Sequence, residues 1–214
     1  MNTQFLKKLF RSWYYPLKPL LEDKYFKKLT DKLTAEYETN TDIYPKKEVL
    51  FKPFKLTDYD DLKVVIVGDR PYCSDKANGL AFGVDENSID LSFTLQNIIN
   101  VVEQEVYNGF NLSFDSTMES WAKQGILLLN TSLSINRFKN ASHYVYWHIF
   151  VTRLISIINE NKTGIIFCFW GNKTDKLKEL VNTNKHYIFN EIGHFNEINA
   201  IIEGQNGKEF RIKY

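Results

Sequence analysis

The chain predicts an α/β fold of three layers, α/β/α, around a central, mainly parallel sheet of four strands. Two observations carry this. Short apolar runs rich in β-branched and aromatic residues fall at 63–68, 125–130, 164–170 and 186–190. They are continuous rather than alternating, the pattern of strands buried on both faces. Helix-length segments separate them, as crossover connections between parallel strands require. With 214 residues, 43% apolar and 25% charged, the chain suits one domain with a full core. The expected domain is 1–214, with residues 1–39 as a helical segment packed on it.

The elements follow in order. Residues 1–37 read as helical, with Leu20, Leu21, Lys24, Leu29 and Leu33 near a 3.6-residue stripe and interruptions at Pro16 and Pro19. Asn40, Pro45 and Pro53 mark 40–62 as turn-rich. A strand at 63–68 ends on Gly68, and a long loop runs to about residue 90. Helices are expected near 92–107 and 118–123, the second leading into the strand at 125–130. Trp147, Phe150, Val151, Leu154, Ile155 and Ile158 are spaced as one apolar helical face. A strand, a helix over 172–181, a last strand and a short final helix complete the chain.

Composition excludes several classes. A net charge of +1 argues against a strongly basic protein that binds nucleic acid by bulk attraction, so any basic surface is local. No apolar run approaches the roughly 20 residues that span a bilayer. Residues 1–13 lack the apolar stretch of a secretion signal. Cys73 and Cys168 have no CxxC spacing and read as free thiols of a reducing compartment, so a soluble, cytoplasmic protein is expected. No metal-ligand spacing, GxGxxG, GxxxxGK[ST] or GxSxG motif occurs, and no cofactor or metal is expected.

The run Val64-Val65-Ile66-Val67-Gly68-Asp69-Arg70-Pro71-Tyr72 ends a strand in a Pro-containing turn, where open α/β sheets place ligands. It resembles the catalytic loop of family 1 uracil-DNA glycosylases, Gly-Gln-Asp-Pro-Tyr-His. Further segments resemble that family in its order. They are Ile43-Tyr44-Pro45, Ala77-Asn78-Gly79-Leu80-Ala81-Phe82-Gly83-Val84, Phe93-Thr94-Leu95-Gln96-Asn97-Ile98, the run from Trp121 to Thr131, Ser142-His143, and Phe169-Trp170-Gly171. The resemblance covers about 40–214 and implies the family fold. It implies a pocket for an extrahelical uracil, with Phe82 stacking on the base and Asn130 bonding its O4 and N3. Tyr72 would stand where a thymine methyl would clash. Pro45, Lys46, Thr94, Gly171 and Asn172 would touch the DNA backbone. Each residue type also has an ordinary use, Phe82 in a core and Asn130 in a turn. Their joint occurrence at family spacing favours the pocket.

The departures concern the chemistry. Arg70 occupies the position of the family's catalytic Asp, and Asp69 that of its Gln. Cleaving an N-glycosidic bond builds positive charge on the sugar and negative charge on uracil, which the family meets with a carboxylate and a His. A unit charge at about 4 Å is worth on the order of 4 kcal/mol at an effective dielectric of 20, so reversing it swings the barrier by roughly 8 kcal/mol before relaxation. Asp69 is a weak candidate for the missing base, since it stands one position away from it. Cys73 replaces the loop's His.

The family's His-Pro-Ser-Pro-Leu-Ser segment has no clear counterpart. His194 is either the catalytic His, with Ile198 as a displaced wedge, or the start of the family's terminal His-Phe-x-x-x-Asn helix with the wedge loop deleted. The second alignment is preferred. The expectation is a protein that binds uracil, or uracil-containing or single-stranded DNA, without efficient excision. Two alternatives stand beside it: an active uracil-DNA glycosylase, and a protein-interaction scaffold with a replication or repair partner.

Overall fold

A computed structural model describes residues 2–110, 113–139, 143–208 and 211–214. Helices α1 (Thr3–Phe10), α2 (Tyr14–Leu21) and α3 (Lys24–Thr39) open the chain. A two-residue strand β1 (Ile43–Tyr44) and a short helix α4 (Lys52–Leu56) lead to β2 (Val64–Gly68). Then come α5 (Phe93–Tyr107), α6 (Glu119–Lys123), β3 (Ile126–Asn130), β4 (Ile135–Asn136), α7 (Tyr144–Asn161) and β5 (Ile166–Phe169). The chain closes with α8 (Asp175–Lys178), β6 (Tyr187–Phe189) and α9 (Phe195–Asn206).

Four strands, all parallel, form the central sheet in the order β3-β2-β5-β6. Side chains alternate across it, as strand geometry dictates. Val65, Val67, Leu127, Leu129, Phe167 and Phe169 face a core shared with the first three helices and α7. Val64, Ile66, Ile126, Leu128, Ile166 and Cys168 face the other, shared with α5, α6 and α9. This is the expected α/β/α layering. Because the chain passes from β2 to β3 on one side and then to β5 on the other, the order reverses at β2. A crevice therefore opens beyond the carboxyl ends of β2 and its neighbours. The register pairs Gly68 with Asn130 there.

Some expectations shift. Pro16 and Pro19 both lie within α2 and do not interrupt it. Pro16 sits in the first turn, where a backbone N–H has no partner inside the helix. The break falls instead at Glu22–Asp23, where the Asp23 carboxylate accepts from the Tyr25 N–H and starts α3. The helix expected over 172–181 shortens to α8, followed by the turn bonds Leu180 N–H to Leu177 and Val181 N–H to Lys178. Strand β4 pairs antiparallel with β1, an element too short to leave a periodic signal. No helix is long and apolar enough to cross a membrane among the described residues.

Candidate nucleobase site

At the carboxyl ends of β2 and β3 lies a cavity of about 210 Å³. Its walls come from Tyr72, Phe82 and Asn130, with Ser92 and Thr94 at the start of α5. Trp170, Gly171 and Asn172 after β5, and Asp69 and Arg70 after β2, complete it. Drug-sized ligands occupy roughly 300–1,000 Å³, so this volume suits a small group such as one base.

Two glycines allow the walls to close. A Cβ on Gly68 would lie 2.8 Å from Asn130 Oδ1 and 2.9 Å from Phe82 Cζ. One on Gly171 would lie 2.5 Å from Asp69 Oδ1. Phe82 has φ +66°, a region that favours glycine, so its neighbours hold it there at a cost. Its carbonyl accepts from Tyr72 OH at 2.9 Å, and the Tyr72 oxygen lies 2.8 Å from Ser92 Oγ. Burial raises the Tyr72 phenol above its ordinary range, keeping it a neutral donor. Phe82 and Trp170 meet at 5.7 Å with their rings tilted by 54°. The buried indole N–H of Trp170 has no hydrogen-bond partner among the described residues. No feature of the sequence marks that donor.

The charged residues take their own directions. Arg70 Nη1 donates to Cys73 Sγ at 3.0 Å. Asp69 turns to the segment after β5, its Oδ1 accepting from the Lys173 N–H at 2.9 Å. Its carbonyl accepts from Thr131 Oγ1 and the Ser132 N–H. Asp69 and Arg70 therefore share a wall without forming an ion pair.

Other predicted site residues are not brought here. Pro45, after a cis peptide, lies outside the cavity, and its carbonyl accepts from Tyr37 OH. Lys46 forms an ion pair with Asp75 at 2.9 Å.

His194 does not line the cavity. The chain passes from β6 to α9 in five residues, and His194 sits at φ +63° before the helix. Its ring packs against Phe189 at 4.9 Å, with Nδ1 3.3 Å from Glu197 Oε2. Its backbone N–H and that of Phe195 both donate to the Glu105 carboxylate of α5. Asn199 is buried and bonds the N–H and carbonyl of Ile212, clamping the tail. This geometry is the one the terminal-helix alignment expects. Ile198, the displaced wedge of the other alignment, is 2% exposed in the core and has no wedge to offer.

His143 forms a separate buried line. Its Nδ1 lies 2.8 Å from Ser134 Oγ and its Nε2 2.9 Å from Glu36 of α3. Trp147 Nε1 also donates to Ser134 Oγ, so that hydroxyl is engaged within the fold. Ser142 lies outside the described residues. Cys168 is buried, which pushes its thiol far above the ordinary range and leaves it inert. Among the described residues no group of three His, Cys, Asp or Glu gathers as metal ligands.

Residues 54–206 match the Uracil DNA glycosylase superfamily. The chain belongs to that superfamily. A uracil-DNA glycosylase of Francisella tularensis subsp. novicida is 38% identical over 174 residues, 79% of this chain and 78% of the relative. One from Yersinia pseudotuberculosis is 33% identical over 211 residues, 91% of this chain and 92% of the relative. The crystal structure of mimivirus uracil-DNA glycosylase superposes with a TM-score of 0.85 at 24% identity, over 100% of this chain and 90% of that one. A Y322F variant of the mimivirus protein, solved in complex with UGI, gives 0.83 at 25% identity, over 96% and 89%. The uracil-DNA glycosylase fold is thus present over the whole chain.

Proposed function

We propose that this member of the superfamily is a uracil-recognising DNA-binding protein that holds the base without efficiently cutting its glycosidic bond. The observation that carries the reading is Arg70. It lines the base cavity at the sequence position where the family loop has its catalytic Asp. A guanidinium beside the sugar opposes the positive charge that cleavage creates there. No imidazole stands among the cavity-lining residues to meet the charge leaving on uracil. Phe82 offers a face for stacking, and Asn130 an amide that donates and accepts at once.

Tyr72 crowds the position of a thymine methyl. In this reading Thr94, Gly171 and Asn172, which line the cavity, meet the sugar–phosphate chain, as do Pro45 and Lys46 outside it. The compact turn before α9 supports a single-stranded or already extrahelical base as ligand, because no loop projects there to open a duplex. The chain acts as one unit over 1–214, in the cytoplasm, with no cofactor.

Two observations favour a second reading, an active uracil-DNA glycosylase. Relatives at 33–38% identity bear that name, and the Asp69 carboxylate lines the cavity. In this reading Asp69 would have to leave the Lys173 N–H to position water.

The binding reading is tested by titrating fluorescent single-stranded oligonucleotides that differ only in one uracil or thymine. Uracil should bind at least tenfold more tightly, and Asn130→Ala should abolish the preference. Equal affinity for the two bases in the wild-type protein contradicts the reading. Absence of binding even at low salt leaves a protein scaffold in its place.

A further inference from the structure

Phe93, the first residue of α5, is 86% exposed, and its two chain neighbours, Ser92 and Thr94, both line the base cavity. A single apolar side chain in solvent is common. This one is anchored. Ser92 Oγ accepts the Leu95 N–H at 3.2 Å, which fixes the first turn of α5. The same oxygen lies 2.8 Å from Tyr72 OH, which donates to the carbonyl of Phe82. A short chain of hydrogen bonds therefore ties the backbone at Phe93 to the aromatic wall of the cavity. Ile89, in the loop that leads into α5, is fully exposed as well. From the β6–α9 turn, by contrast, Ile192 is partly buried against the core.

We propose that Phe93 is a stacking platform for the nucleobase adjacent to the one held in the cavity. The inference rests on the reading that the cavity takes an extrahelical base. When a base leaves the stack, its neighbour is left with an uncovered face. An aromatic ring at the rim covers that face, and a backbone already held in the first turn of α5 leaves only side-chain freedom to be lost on binding. Every base has a π-face, so the contact adds affinity without reading sequence. It also sets the minimum ligand: uracil with at least one covalently attached neighbour, in a single strand.

The test uses wild-type protein, Phe93→Ala, Phe93→Trp and Asn130→Ala with short uracil-containing single strands. In two of them 2-aminopurine replaces the neighbour on one side or the other. Phe93→Ala should bind the strands about five- to a hundredfold more weakly, and Phe93→Trp should retain binding. The affinity gained on going from deoxyuridine monophosphate to a trinucleotide should shrink in Phe93→Ala. The emission of 2-aminopurine should respond on one side of the uracil with wild type and Phe93→Trp, and not with Phe93→Ala. Unchanged affinity and unchanged emission in Phe93→Ala overturn the platform while the uracil preference stands. A wild-type protein without uracil preference, indifferent to Asn130→Ala, overturns the cavity reading and the platform together.

Discussion

Arg70 and Gly68, two residues apart, define opposite aspects of the site. Arg70 sets its electrostatics, and Gly68 sets its shape. The strand must bring Asn130 and Phe82 within a Cβ's reach of residue 68, so only glycine fits without displacing one of them. Gly68→Ala is accordingly expected to weaken uracil-strand binding at least tenfold. The fold should persist, because both colliding groups are side chains at the edge of a cavity. Parallel oligonucleotide titration and thermal melting check this, and a variant that binds as well as wild type contradicts the cavity geometry. Arg70 was legible in the sequence because a motif surrounds it. The unpartnered indole N–H of Trp170 was not, since its lack of an acceptor depends on everything packed around it.

Among the elements, α3 reaches the buried His143 ahead of α7 through Glu36, in addition to its apolar face in the core. The buried ring is held below its ordinary pKa by desolvation, with the Glu36 carboxylate opposing this and Lys32 reinforcing it. An unfolded His titrates near 6.5. As pH falls through that value the unfolded chain takes up a proton that the folded ring does not. Stability is therefore full above about pH 6.5, declines below it, and levels off once the folded ring itself is protonated. Glu36→Gln removes the group favouring the charged ring, so the folded pKa drops further and the decline extends lower. Melting temperatures measured from pH 8 to pH 5 should fall more steeply for Glu36→Gln than for wild type, and an identical pH dependence contradicts this account.

The helices and strands with long apolar runs were legible in advance, α7 and the four sheet strands above all. The contacts that lock elements together were not. Glu36 reaches His143 across 107 positions, and Glu105 reaches Phe195 across 90. Neither carboxylate belongs to a local pattern. Proline also misled the reading of α2: Pro16 falls in the first turn, where its missing N–H costs little, and Pro19 is accommodated inside the helix.

At the scale of the molecule, a net charge of +1 leaves little general attraction for a polyanion. Near the cavity, Lys46 is paired with Asp75 and Lys76 with Asp90. The Arg70 guanidinium and the Lys173 ammonium, which share an adjoining cleft, form no ion pair with a carboxylate among the described residues. Two phosphate contacts on a single strand, at about 0.7 each, give a slope of about −1.4 for log affinity against log salt. A slope near −5 would place binding on a broad basic surface instead of this mouth.

The family fold was legible because its segments keep their order from residue 40 onward. The compactness of the turn before α9 was not legible in the same way, because it depends on the packing of His194 on Phe189 and the clamp of Asn199 on Ile212. The relatives' names support glycosylase activity, and the charge at residue 70 opposes it. A single-turnover assay separates the two. A uracil-containing single strand is incubated with equimolar or excess protein, then treated with alkali to cut any abasic site. The account predicts that the strand is bound and stays intact over hours. Strand cleavage by the wild-type protein that disappears in Asn130→Ala or Asp69→Ala would contradict it.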